Sequence, residues 1–106
     1  MVVVFSIFSL TRDVFAVDKL LEFSLILENH VYNPDILSVP YNKKVKIIIF
    51  NNDDSAEVFF SISLKRKKLV PGHSQAVIYI GPLKAGDYPF SGYNSRTATG
   101  IVRVVN

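Results

Sequence analysis

Residues 49–60, IFNNDDSAEVFF, interrupt an apolar strand with a cluster of polar side chains. Asparagines and aspartates occupy positions 51–54, and Glu57 follows just before a pair of phenylalanines. Short Asn and Asp side chains close turns by bonding to nearby backbone groups, whereas carboxylates can also act as oxygen ligands for a metal ion. The segment is therefore either a polar turn or part of a site.

The absence of cysteine excludes several kinds of site. The 106 residues contain no cysteine. This excludes disulfides, zinc–thiolate sites and the blue-copper centre, whose trigonal arrangement needs a thiolate. Any metal site built from this chain must therefore use nitrogen and oxygen ligands.

The sequence also shows no recognisable set of catalytic residues. No serine lies in a Gly-x-Ser-x-Gly setting. The two histidines stand in segments that the predicted strands do not clearly bring together, and the glutamates form no identifiable acid pair for glycoside chemistry. We expect that the chain is not an enzyme.

The charge balance is only a weak argument for nucleic acid or anionic lipid as a partner. Twelve basic and nine acidic residues give a formal net charge of +3. The one basic run, residues 65–68, is typical of a solvated turn, and no aromatic residues interleave with it as a stacking platform would require. We therefore predict no nucleic-acid binding.

The elements that must position the polar residues are β-strands. EFSLILEN alternates, with Phe23, Leu25 and Leu27 on one face, and VKIIIF is apolar on both faces except for Lys46, as a central strand would be. Turn residues recur between the apolar runs. This pattern predicts an all-β Greek-key sandwich of seven to eight strands.

The N-terminal residues have two interpretations. MVVVFSIFSL has about the length of a signal-peptide apolar region, and VFA at 14–16 resembles a cleavage site, although a basic start is missing and Arg12 and Asp13 intrude. The first interpretation is a signal peptide or its remnant over 1–16, with a domain at 17–106 and periplasmic localisation. The second is an additional β-strand.

Three motifs carry a family resemblance over nearly all of the chain after residue 20. They are HVYNPDILSVP, the pair Asn51-x-Asp53 after the central strand, and IGPLKAGDYPFSG, which turn chemistry alone does not explain. With these motifs the chain resembles the small cupredoxin-like domains of periplasmic proteins, especially those associated with bacterial iron and copper uptake. The resemblance implies a cupredoxin-like Greek-key sandwich.

The resemblance also implies roles for the polar residues. Asn51 and Asp53 would hold the loop at one end of the sandwich. His30 and Glu57 match positions at which relatives carry a histidine and an acid. With oxygen atoms from Asp53 and Asp54 they would form a thiolate-free site for Cu(II) or iron.

The last loop departs from the copper-binding pattern. Cupredoxins with copper supply His, Cys, His and often Met, the last three near the C-terminus, but the corresponding loop here holds Asn94, Ser95 and Arg96. A cationic residue is a poor neighbour for a divalent ion. The resemblance therefore leaves it open whether a cofactor, copper or iron, is bound at all.

Two functions remain. In the first, the domain binds copper or iron weakly and presents the ion to a periplasmic or inner-membrane metal-transport protein. In the second, the fold acts as a metal-free binding or structural module, with Tyr88, Phe90 and Tyr93 as an aromatic contact surface, unless Tyr88 and Phe90 pack in the core.

Overall fold

The computed structural model describes residues 20–106, which form nine β-strands. The interpretations of residues 1–16 fall outside this range. The strands are β1 (Leu21–Glu28), β2 (Val31–Asn33), β3 (Ile36–Pro40), β4 (Val45–Asn51), β5 (Glu57–Ser61), β6 (Arg66–Val70), β7 (Ser74–Ile80), β8 (Gly86–Gly92) and β9 (Thr99–Val105).

The strands form two sheets, in the orders β2-β1-β4-β7 and β3-β9-β8-β5-β6. β1 runs parallel to β4 and β3 runs parallel to β9, whereas the other pairs are antiparallel. The predicted all-β sandwich is confirmed. Within residues 20–106, no helix is long and apolar enough to cross a membrane.

The structure confirms the buried face predicted for β1 and the central position predicted for β4. Leu25 and Leu27 are buried, and Phe23 packs against the core at the open end of the same face. β4 lies between β1 and β7, so both of its backbone edges are paired. Its odd-numbered residues, from Val45 to Asn51, point into the core.

Three aromatic rings fill the core between the sheets. The Tyr32 ring meets the rings of Phe59 and Phe90 edge-on, at centroid distances of 6.3 and 5.2 Å, and the latter two lie 4.9 Å apart. All three side chains are buried. Edge-to-face contacts of this kind add to the free energy gained by removing the rings from water.

The basic run is partly a strand, which differs from the predicted turn. Lys65 has a φ of 57° and makes the turn, but β6 begins at Arg66 and pairs with β5. The Arg66 guanidinium donates from Nε and Nη2 to the Tyr79 carbonyl of β7, at 2.9 and 2.7 Å. The arginine therefore joins the edges of the two sheets, a contact between distant strands that local sequence does not reveal.

Strand direction gathers the polar segments at one end of the sandwich. β1, β4 and β8 end there, and β5, β7 and β9 begin there, as the registers show. The turn at 29–30, the loop 52–56, the turn at 71–73 and the loop 93–98 consequently lie close together.

Phe59→Ala is expected to lower the free energy of unfolding by about 3–5 kcal/mol, because it leaves a cavity between two rings. Urea denaturation measures this loss. Ile62→Ala is the control, since Ile62 is 78% exposed and its replacement should change stability by less than about 0.5 kcal/mol. Equal losses in the two variants would contradict the packing described here.

Candidate functional site

Asp53 joins the loop 52–56 to the turn between β1 and β2. Its Oδ1 accepts the Asn29 N–H at 2.7 Å and its Oδ2 accepts the His30 N–H at 2.9 Å. Asn29 and His30 have φ values of 53° and 62°, a backbone conformation that side chains other than glycine disfavour. The carboxylate therefore stabilises a costly turn by satisfying both of its amides.

Asn51 fixes the same loop from inside the sandwich. Its side chain is buried. It donates from Nδ2 to the carbonyls of Ser55 and Val70, at 2.9 and 3.1 Å, and accepts the Asp53 N–H at 2.9 Å. One amide thus connects β4, the loop and the end of β6, and all its bonds go to the backbone.

His30 lies at the surface, where the first turn meets the loop between β8 and β9. Its side chain is 56% exposed, and Nδ1 lies 3.6 Å from Asp53 Oδ2. Ser95 Oγ lies 3.1 Å from the same nitrogen, and Thr97 Oγ1 donates to the His30 carbonyl at 2.6 Å. The imidazole is therefore held between the two loops but open to solvent.

Asp54 pairs with His73 rather than with His30. Asp54 Oδ1 contacts His73 Nε2, and both side chains are largely exposed. The two loops approach each other closely here, because a Cβ at Gly72 would collide with the Asp54 carbonyl. Exposed ion pairs contribute little to stability, so the close backbone contact is the stronger constraint.

Glu57 is buried at the start of β5, with 3% of its surface exposed. Its Oε1 accepts the N–H groups of Val58 and Asn94, at 2.9 and 2.8 Å. Asn94 also donates from Nδ2 to the Ala56 carbonyl at 2.8 Å. The carboxylate and the amide together tie the loop 93–98 to β5.

The Glu57 carboxylate occupies the space that a side chain at position 92 would need. A Cβ added to Gly92 would lie 2.5 Å from Glu57 Cδ. Tyr32 lies in the core between the sheets, and its buried hydroxyl has no hydrogen-bond partner among the described residues. Burial, and secondarily the charge of Glu57, raises the pKa of the Tyr32 phenol, so it stays neutral.

The structure brings together three of the four proposed metal ligands. His30, Asp53 and Asp54 line one cleft of about 350 Å³, together with Asn29, Asn52 and Ser55. Glu57 does not line this cleft. Within residues 20–106, no three His, Asp or Glu side chains are arranged to hold one metal ion.

Comparison with known families matches residues 1–104 to the cupredoxin-like domain. The chain belongs to this family. A relative in Rickettsia prowazekii (strain Madrid E), named uncharacterized protein RP394, is 38% identical over 88 residues, which are 82% of this chain and 70% of that protein.

Two solved structures show the same cupredoxin fold. One is the metal binding domain of the Cu(I) exporting P-type ATPase CopA of Streptococcus pneumoniae D39, with a TM-score of 0.67 and 15% identity over 80% of this chain and 85% of that one. The other is auracyanin A, a blue copper protein of Chloroflexus aurantiacus, with a TM-score of 0.68 and 11% identity over 82% and 100%. Identities this low establish the fold alone.

The residues of this cupredoxin-like domain do not fit a thiolate copper centre. The chain has no cysteine, and a side chain at position 92 would collide with Glu57. In the loop 93–98, Asn94 is used for hydrogen bonds to β5 and Ser95 contacts His30. The loop 93–98 contains no cysteine and no histidine, the donors that copper of this type requires, and its polar side chains bond to other parts of the protein.

Sequence reasoning missed how Gly92, Asn94 and Tyr32 combine with Glu57. Asn94 was recognised as a member of the last loop, but its bond to Glu57 joins residues 37 positions apart. A glycine at the end of a strand is unremarkable by itself. Only the pairing of β5 with β8, which puts Phe59 opposite Gly92, brings these groups together.

Asp53→Asn is expected to reduce stability near neutral pH and to reduce its dependence on acid. The His30 N–H, more than any other contact, lowers the pKa of the Asp53 carboxyl. A lowered folded-state pKa contributes stability above the ordinary carboxyl pKa of about 3.9, and this contribution disappears as the pH falls through the folded value.

Urea denaturation between about pH 6 and pH 2 measures this effect, and the difference between wild type and Asp53→Asn should shrink as the pH falls. Asp54→Asn is the matched control, because the exposed Asp54 side chain contacts only His73. A constant difference across the pH range would contradict the role of the Asp53 carboxylate.

Proposed function

We propose that this cupredoxin-like domain is a periplasmic binding module that works without a copper centre. The observation that carries the proposal is the position of the Glu57 carboxylate, which lies over Gly92 and accepts the Asn94 N–H. The periplasmic assignment rests on the signal-like residues 1–16. The proposal gives the domain no catalytic role.

The loop 93–98 is held closed by hydrogen bonds of Glu57 and Asn94. A metal ion connects the elements that supply its ligands, and its loss would leave the loop without that connection. Here two hydrogen bonds connect the loop to the start of β5: the Asn94 N–H donates to Glu57 Oε1, and Asn94 Nδ2 donates to the Ala56 carbonyl. The loop therefore has an ion-independent closure.

Tyr88 and Phe90 contribute little to the aromatic surface available for binding, because they pack against the core. Phe90 is buried and Tyr88 is half-buried, with its hydroxyl donating to the Lys84 carbonyl at 2.9 Å. Tyr93 is 54% exposed and lies 5.3 Å from the Phe60 ring. Tyr93 and Phe60, on the outer face of the five-stranded sheet, are thus the aromatic residues that support binding.

A second candidate function is weak binding of Cu(II) or iron at the cleft. His30 Nδ1 and Asp53 Oδ2 lie 3.6 Å apart, and Asp54 lines the same cleft. Imidazole and carboxylate donors suit Cu(II) better than Cu(I). Both Asp53 oxygens already accept backbone amides, so an ion would compete with the turn.

Calorimetric titration of the full chain with Cu(II) and with Fe(III) separates these functions. Because residues 20–106 contain no preformed metal centre, we expect neither ion to bind one-to-one in the micromolar range. The titrations are repeated on His30→Ala and Glu57→Ala, with His73→Ala as the imidazole control.

The variants decide how any binding is interpreted. Micromolar binding that is lost in both His30→Ala and Glu57→Ala would overturn the copper-free proposal and establish a shared site. Binding that is lost in His30→Ala but kept in Glu57→Ala and His73→Ala would support the second candidate.

Glu57→Ala is also expected to destabilise the domain and to loosen the loop 93–98. It removes the acceptor of two partly buried hydrogen bonds, from the N–H groups of Val58 and Asn94, at a cost of about 1 kcal/mol each. Glu57→Gln keeps a carbonyl acceptor and should lose less. Urea denaturation and hydrogen exchange of the Asn94 amide measure the effects.

Glu28→Ala is the matched control, because Glu28 is exposed on β1. If Glu57→Ala costs no more than Glu28→Ala, or if Asn94 exchange is unchanged, the loop is closed by other contacts and the role given to Glu57 is wrong.

A further inference from the structure

The outer face of the four-stranded sheet is largely apolar. The outward positions of β4 include Ile48 and Phe50, which are half-buried. Ile26 of β1 and Tyr79 of β7 point outward as well and are exposed. The outward positions of a sandwich strand are usually polar, and no strand of residues 20–106 packs on this face. The face therefore carries apolar area that the core does not use.

Strand register makes these side chains contiguous. Ile26 lies beside Phe50 in the β1–β4 pair, and Ile48 lies beside Val77 in the β4–β7 pair. Ile48 and Phe50 are two positions apart on one strand and so share its face, as do Val77 and Tyr79. The five residues form a single surface, the outer patch. Contiguous apolar patches of this kind mark interaction sites.

Polar residues border the outer patch in complementary pairs. At one end Glu22 of β1 lies beside Lys46 of β4, with 3.8 Å between Oε2 and Nζ. In the row that contains Ile26 and Phe50, Asn33 of β2 lies at one end and Gln75 of β7 at the other. Each half of the face thus carries groups that can bond to those of the other half.

We propose that the outer patch binds the outer patch of a second copy of this chain, about a two-fold axis that runs along the strands between β1 and β4. A two-fold contact joins the same surface of both copies. This axis lays β1 of one copy on β4 of the other, in the aligned packing that is usual for two sheets. Ile26 then meets Phe50 of the second copy, and Glu22 meets Lys46 of the second copy.

The charges of the face select this axis over the alternative. An axis across the middle of the strands would lay each strand on its own copy in the opposite direction. Glu22 would then face Glu28 of the second copy, and juxtaposed like charges oppose association. The axis along the strands instead forms the contact between Glu22 and Lys46 twice.

The amides at the sides of the face fit the same axis. Asn33 at the β2 side of one copy faces Gln75 at the β7 side of the other. Each amide has both a donor and an acceptor, so the two can bond to each other. A face whose two halves complement each other in charge and in hydrogen bonding is suited to a copy of itself.

The area of the face sets the strength of the contact. Three strands of seven or eight residues and the short β2 give roughly 400 Å² of flat area per copy. Side-chain relief raises the accessible area, so two copies together come near the approximately 1,000 Å² at which specific interfaces begin. We therefore expect a weak dimer, with a dissociation constant of about 10–100 µM.

Sedimentation equilibrium of the full chain, at about 5 to about 500 µM, measures this association. Ile26→Glu should weaken it at least about tenfold, because it removes a central apolar contact and brings a charge into the interface. Ile36→Glu is the matched control and should associate like wild type. Ile26 is 38% exposed and Ile36, on the outer face of the other sheet, is 42% exposed. Both variants should keep the wild-type circular dichroism spectrum.

A charge exchange tests the axis itself. Glu22→Lys and Lys46→Glu should each weaken association about threefold or more, and more strongly at low salt, where repulsion is less screened. An equimolar mixture of the two variants should associate like wild type, because both charge contacts of the mixed dimer are then between opposite charges. Mixing cannot restore a pair within one chain, so recovery assigns the contact to the interface.

Other outcomes would overturn the inference. These are a monomer at every concentration, a dimer that Ile36→Glu weakens as much as Ile26→Glu, and a mixture that associates no better than its components. A monomer that binds phosphatidylserine vesicles through Ile26 would assign the face to lipid. The inference goes beyond the proposed function, and its test is separate from the metal titration. None of the residues that line the His30 cleft belongs to the outer patch, so a copper site found there would leave the sedimentation result unaffected.

Discussion

The buried Glu57 carboxylate is the interaction on which the polar end of the sandwich depends. A carboxylate loses much of its hydration on burial, and backbone N–H donors must replace it. Val58 and Asn94 supply those donors, and Gly92 leaves the necessary space. Asn94 belongs to the loop between β8 and β9. The hydrogen bond by which its N–H replaces water at the Glu57 carboxylate therefore also closes this loop.

The neighbouring loops follow the same physical rule. Asp53 satisfies two amides of a left-handed turn, and Asn51 satisfies two carbonyls and one amide. Their polar groups are thus used within the fold, whereas His30 keeps more than half of its side chain exposed. This end of the sandwich is built from hydrogen bonds.

Much of the fold is predictable from local pattern. The alternation around Leu25 and the two-sided apolar run of β4 correctly indicate a sandwich face and a central strand. The basic run at residues 65–68 predicts a turn, but Arg66 begins β6 and bonds to Tyr79. A single-sequence pattern cannot find such a contact, because its partner lies on the other sheet.

The sequence by itself determined the all-β class, through the two-residue period of its apolar positions, and excluded a thiolate ligand through its composition. Both are local or additive properties. Only the tertiary structure decided that Asp53 binds the turn at Asn29 and that Glu57 occupies the space above Gly92. Those contacts join distant positions, and strand order and register alone bring the side chains within hydrogen-bonding distance.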